Sequence, residues 1–265
     1  MKRILLVVLV AVVAFLFVAC GSEGTTELET NKNDIEDTIC DKTMCSIEGC
    51  ENVAIDDTTF EEDMCANHLK HQKALITSKS LYENIHIAYE IIKQFSDDIC
   101  EAWRLVIDES DSVIYNPINT LESGLSLNAN QIMSGVEMLL ANDDGKIPDL
   151  SYAEIKSLFK ENKDSLNAFC IVVVINAYHL NGQIDVAQKA LDDAKIQLIE
   201  LDEKYSDFEH YQNLKDYYTQ TSAFFDYLYD PFESFGTFKQ TRDTIYDYQN
   251  NIRNYISKLD YIFEE

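Results

Sequence analysis

Four side chains in the N-terminal third of this chain have the types and spacing of metal ligands. Cys45 and Cys50 form one pair, fourteen residues intervene, and Cys65 and His68 form a second pair. Two donor pairs on tight turns, with a short excursion between them, build a structural zinc site from a segment too small to fold unaided. Gly49, just before Cys50, suits the turn of the first pair. Cys65 and His68, three apart, fall on one face of a helical first turn. Cys40 is a fifth candidate and an alternate ligand. The competing chemistry is covalent, because Cys40, Cys45, Cys50 and Cys65 are an even set that two disulfides would also satisfy. Either way the role is a staple: four protein ligands leave no open position for a substrate.

Other patterns fall short of a site. Asp144-Gly145-Lys146 has the look of a calcium loop, but with Gly145 in sixth place the first and last ligands fall on Leu140 and Ser151. Glu83 and His86 have the spacing of a di-iron ligand pair, yet no second such pair occurs and the seam residues Ile85 and Ala88 turn them outward. His71, His179 and His210 are scattered, and no nucleophile elbow, zincin motif or phosphate-binding glycine loop is present. Cys100 and Cys170 sit in apolar helical stretches, as buried thiols or as one helix-to-helix disulfide. An aromatic cluster around Pro231 includes Tyr217, Tyr218, Phe224, Phe225, Tyr229, Phe232 and Phe235. It reads as an aromatic-rich bundle end, or as a binding patch for a protein, glycan or small molecule.

The elements that must position these residues are helices. Only 8 Gly and 3 Pro occur in 265 residues, which disfavours a turn-rich β fold. Leu81, Ile85, Ala88, Ile92, Phe95, Ile99, Ala102 and Val106 alternate spacings of four and three, the seam of a long helix that ends in the Asp108–Pro117 stretch. A shorter helix follows near 129–141, and Asn142–Lys146 reads as a turn. Ser151 with Glu154 makes a capping box. The helix it opens is expected to run to Asn181-Gly182 and, being apolar nearly all round from Phe169 to Ala177, to be the most buried. Further helices are expected over 185–205 and 208–229. A last one carries a second seam of Phe238, Thr241, Ile245, Tyr248, Ile252, Tyr255, Leu259 and Ile262. Tyr178, Gly182, Ala187, Leu191 and Ala194 match a tetratricopeptide hairpin only once, so they read as close helix packing. The fold expected is all-α: an up-and-down bundle of about six helices over 69–265, preceded by a small Cys-rich element over 40–68.

The N-terminus carries an address. Lys2 and Arg3 precede an apolar run from Ile4 to Ala19 that ends at Phe17-Val18-Ala19-Cys20. A positive end, an apolar core and small residues before a cut site make an export signal over 1–19. The run is slightly short for a spanning helix and is followed by Glu23, Glu27 and Glu29 rather than by basic residues. Residues 20–39 are polar, acidic and poor in large apolar groups, a flexible spacer.

These residues carry a resemblance. The Cys20 junction resembles the lipobox of bacterial lipoproteins, with Phe17 in place of the usual Leu, and this implies acylation of Cys20 and tethering to the outer face of the cytoplasmic membrane. Cys45-Ser-Ile-Glu-Gly-Cys50-Glu-Asn and Cys65-Ala-Asn-His68 resemble short zinc-ribbon-like elements. Together the segments resemble Gram-positive membrane lipoproteins with helical C-terminal domains, a likeness that brings no activity with it.

Charge limits the partners. The formal net charge is −26, and removal of Lys2 and Arg3 with the signal takes it to −28. Such a chain has no cationic surplus to displace the counterions of nucleic acid. The reading from sequence is a lipid-anchored, extracytoplasmic binding or scaffolding protein without catalysis. The alternative is a solute-capture protein or envelope enzyme with its site in the bundle or at the aromatic end.

Overall fold

The computed structural model describes residues 43–55, 63–141, 148–229 and 236–263. The expected export signal, Cys20, the expected spacer, Cys40, the expected 142–146 turn, Pro231, Phe232 and Phe235 lie outside the described residues. The described chain is all-helical, with nine α-helices and one 3-10 turn. Its only β-type pairing is an isolated antiparallel bridge between Met44 and Val53.

Helix α1 (Ala66–Asp108) is 43 residues long, and every residue of its expected seam is buried. It touches α2 (Ser110–Tyr115), α3 (Pro117–Gly124), α6 (Leu166–Leu180), α7 (Gln183–Lys204), α8 (Tyr211–Tyr229) and α9 (Phe238–Phe263). The hub of the fold is therefore α1, not the apolar helix α6. Residue for residue α6 is the more buried of the two, with seven of its 15 residues buried against sixteen of 43 in α1, but α1 meets more neighbours. An unbroken seam 43 residues long offers more surface to neighbours than a 15-residue helix, however apolar the latter is.

Where about six helices were expected, the described residues hold nine, because two stretches divide differently. The Asp108–Pro117 break contains helix α2, and Pro117 opens α3 at its first turn, where a missing N–H costs nothing. The helix begun by Ser151 also stops early. Its capping box is formed, but α5 (Tyr152–Glu161) ends where the Asn162 side chain donates to the Leu158 carbonyl at 2.9 Å. A 3-10 turn over Lys163–Ser165 then leads into α6. The other short helix, α4 (Ala129–Met138), has a capping box of its own from Asn128 and Gln131.

Gly182 adopts φ +77° and joins α6 to α7, as the Asn181-Gly182 pair requires. Helix α7 packs chiefly along α1 and less on α6, burying Ala187, Ala190, Leu191 and Ala194. Helix α4 meets α6 closely at Gly135, where an added Cβ would lie 2.4 Å from the Val173 carbonyl oxygen. The α9 seam holds at Thr241, Ile245, Ile252 and Leu259, while Tyr248 and Tyr255 are half-exposed and Gln249 is buried.

Two polar groups inside this bundle carry no apolar signature. The Gln249 amide donates to Ser96 Oγ at 3.0 Å and Asp97 Oδ1 at 2.8 Å. Asp98 is 3% exposed and accepts from the Ser126 backbone at 2.9 Å, the Ser126 hydroxyl and Tyr178 at 2.8 Å. Burial is the largest influence on Asp98 and raises its pKa, against the three hydrogen bonds that favour the carboxylate.

Among the described residues no single helix is long and apolar enough to cross a membrane. The α6–α7 pair reaches that test only jointly, across a 66° bend, and the apolar side chains of α6 belong largely to the core.

Candidate metal centre

The Cys/His element is built from a tight turn and the start of α1. Cys45 N–H donates to the Asn52 carbonyl at 3.0 Å and Ala54 N–H to the Thr43 carbonyl at 2.9 Å, which brings the two sides of residues 43–54 together. Cys50 N–H closes the turn on the Ile47 carbonyl at 3.0 Å, with Gly49 at φ +77°. A side chain at Gly49 would meet open space, so the requirement there is conformational rather than steric. Two more backbone bonds, Ser46 to Asp63 at 2.8 Å and Ile55 to Met64 at 2.9 Å, tie this turn to the entry of α1. Cys65 is the N-cap of α1 in extended conformation, and His68 stands on the first turn.

The result is convergence of all four expected donors. One donor atom from each of Cys45, Cys50, Cys65 and His68 lies within 4.8 Å of the others, close enough to hold a metal ion. Cys45 Sγ is 3.2 Å from His68 Nδ1, Cys65 Sγ is 3.6 Å from the same nitrogen, and Cys50 Sγ is 3.7 Å from Cys65 Sγ. Metal bonds of about 2.3 Å to sulfur and about 2.1 Å to nitrogen, tetrahedrally arranged, put ligands about 3.6–3.8 Å apart. The Cys65–His68 and Cys50–Cys65 pairs stand at that spacing, and the Cys45–His68 pair is closer, at 3.2 Å. The described cysteines carry free thiols, and 3.7 Å far exceeds the roughly 2.05 Å of a disulfide.

Cys45 and Cys65 are buried, at 7% and 3% exposure, while Cys50 and His68 are half-buried. Cys65 is held below the ordinary thiol value, foremost by the His68 backbone N–H at the open helix end. Burial alone would raise Cys45, but backbone bonds at Cys65 and Ile47 and the neighbouring thiols bring it down. At Cys50 the Asn52 backbone works to lower the thiol, and burial with the other two thiols leaves it raised. Outside the cluster, Glu48, Glu51, Asn52 and Asn67 line an opening of about 390 Å³ that reaches Cys50, Cys65 and His68.

The remaining candidates are dispersed. Cys100 is half-buried and Cys170 buried; both are free, and burial pushes the Cys100 thiol up to about 12. His86 is not turned fully outward: it stacks on Tyr82 with ring centroids 5.7 Å apart and lies 3.4 Å from the Tyr217 hydroxyl. Glu83 is exposed, as expected. The aromatic cluster divides. Tyr217, Phe224 and Phe225 are core residues at 0%, 0% and 4% exposure, so they offer no surface to a partner. They point inward because the periodicity of α8 places them on the face toward α1 and α9, and Phe224 stacks on Tyr248 at 5.0 Å. Tyr218 is half-buried, and Tyr229 at 54% exposure is the one member presented to solvent among the described residues.

A cleft on the bundle flank was not foreseen. About 760 Å³ in volume, it lies between α1, the segment after α3 and the start of α9. Its wall includes Asp97, Glu101, Arg104, Phe238, Arg242 and Tyr246, with Asp98 at the inner end. Arg104 is already engaged by Glu101 at 2.6 Å and Asp108 at 3.1 Å, and Arg242 by Asp243 at 3.0 Å.

Comparison with protein-family models, with curated proteins and with solved structures finds no match. Function therefore has to be read from this chain's own residues.

Proposed function

We propose that this chain is a lipid-anchored, extracytoplasmic binding or scaffolding protein whose helical bundle is stapled at the start of α1 by one structural zinc ion. The convergence of Cys45, Cys50, Cys65 and His68 carries the zinc part of this reading. Three thiols and one imidazole are a donor set that suits zinc, and four protein ligands complete its tetrahedral shell. A closed shell holds structure together and leaves no position for substrate activation. The location rests on the sequence features of 1–20, with Cys20 as the acylated residue and the membrane as the lipid's partner. Elemental analysis of full-length protein prepared without chelator should find one zinc per chain in the wild type and none in Cys65→Ser. Zinc-free wild type would remove the staple from the account.

The cleft beside Asp97, Glu101 and Tyr246 supports a second reading, solute capture or an envelope enzyme. Its volume falls in the range of small-molecule sites, and it combines charged groups with aromatic faces. A small molecule co-purifying with the wild type and lost in Tyr246→Ala would favour that reading over scaffolding. A protein that carries nothing and is stabilised by no member of a metabolite panel would argue against it.

A further inference from the structure

We infer that the metal centre is also a thiol switch in which oxidation joins Cys50 to Cys65 and expels the metal ion, leaving Cys45 as a free thiol. The inference rests on the metal reading of the same four residues. Cys50 Sγ and Cys65 Sγ are in contact at 3.7 Å, so a bond between them needs a short approach of side chains. The two cysteines differ in access. Both border the opening lined by Glu48, Glu51, Asn52 and Asn67, but Cys50 is half-buried there whereas Cys65 is only 3% exposed. Cys45 is 7% exposed, and its sulfur lies against His68 Nδ1 at 3.2 Å. A peroxide entering from solvent therefore meets Cys50 first, with Cys65 behind it as the resolving sulfur.

The chemistry balances with hydrogen peroxide as oxidant. The Cys50 thiolate attacks the peroxide, the O–O bond breaks, and sulfenic acid forms with loss of hydroxide. The Cys65 thiolate then attacks the Cys50 sulfur, forming the S–S bond and releasing a second hydroxide. Two electrons pass from the two sulfurs to the peroxide, and the hydroxides take protons from solvent. Two of the four ligands are consumed, so the ion is left with Cys45 and His68 and departs. The new bond still ties the 43–55 turn to the start of α1 across the same gap. The switch thus exchanges a metal staple for a covalent one while freeing zinc and one thiol.

The test uses full-length protein, reduced, loaded with zinc, freed of excess metal and then treated with hydrogen peroxide. Zinc release is followed with a chromogenic chelator, and thiol pairing by alkylation and peptide mass mapping. The expected result is release of the bound zinc together with a Cys50–Cys65 peptide pair two hydrogens lighter, with Cys45 alkylated. Cys45→Ser should still form that link on oxidation, and Cys50→Ser should not. Zinc that stays bound, a link from Cys45 instead, or Cys50 driven to sulfinic acid without a link would overturn the switch and leave the metal reading standing. Reduced protein that takes up no zinc at all would overturn the metal reading, and the switch as a metal-releasing device with it.

Discussion

Cys45 Sγ and His68 Nδ1 lie 3.2 Å apart across 23 residues of sequence. One belongs to a glycine turn and the other to the first turn of a 43-residue helix. Backbone bonds from Ser46 to Asp63 and from Ile55 to Met64 bring the turn against the helix entry. There Cys45 and His68 gather with Cys50 and Cys65 into four metal-type donors within 4.8 Å of one another, the set a tetrahedral site needs.

Removal of the ion should therefore loosen the start of α1 without unfolding the bundle. With free zinc at about 100 times Kd, binding adds about 2.7 kcal/mol. Chelator should lower the thermal midpoint by about 5–10 °C for a domain of this size. Helical circular dichroism below the transition should change little, since the contiguous core cluster begins at Ala74 and does not include Cys45, Met64, Cys65 or Leu69. Calorimetry with and without chelator checks this.

The bundle should be most sensitive along α1. Ile85 and Ile99 are fully buried in the seam, and Ile85→Ala or Ile99→Ala should cost about 2–5 kcal/mol. Ile76→Ala, on a helix face that is 55% exposed, should cost well under 1 kcal/mol. Urea unfolding of the three variants reads the difference directly.

Gly135→Ala should be costly for a reason the helix propensity of alanine opposes. The new Cβ would press on the Val173 carbonyl oxygen at 2.4 Å and the Ala177 backbone nitrogen at 3.2 Å, so α4 and α6 must separate. The expected loss is about 1–3 kcal/mol, where an unhindered site would gain about 1 kcal/mol. A stabilised variant would show that the two helices do not approach so closely.

Asp98 should make stability fall as pH rises. Burial raises its folded pKa above the unfolded value, so the native state holds the proton more tightly. Below the unfolded value there is no penalty. The penalty grows as pH climbs through the interval between the two pKa values, and is complete above the folded one. Each unit of that interval is worth about 1.4 kcal/mol. Asp98→Asn keeps the shape without the charge, so its stability relative to wild type should increase from pH 4 toward pH 7. A flat difference would contradict the buried-carboxylate assignment.

Cys20→Ser should leave the precursor unprocessed or release the protein from membranes. Unaltered processing and fractionation would remove lipid anchoring from the proposal.

Much of this architecture was legible in the residue order, and the failures have physical causes. The α1 seam, the Ser151 capping box, Gly182 and the Cys/His spacing are local patterns whose chemistry is set within a few residues. Asn162 looked like one more polar residue in a helix, because its bond to the Leu158 carbonyl gives no signal in hydropathy. The burial of Asp98 and Gln249 has no local signal, since their partners Ser126, Tyr178 and Ser96 are 28, 80 and 153 residues away. Tyr217, Phe224 and Phe225 seemed available because composition counts aromatics without giving their direction. The flank cleft is assembled from α1, the segment after α3 and α9, so no contiguous stretch announces it.

The most direct test of the central claim is a native mass spectrum of the full-length protein, purified without reductant or chelator, followed by the same sample denatured. The account predicts one zinc per chain in the native spectrum, and Cys45, Cys50 and Cys65 all alkylatable once the ion is stripped. A metal-free native mass, with these cysteines already locked in disulfides, would contradict it.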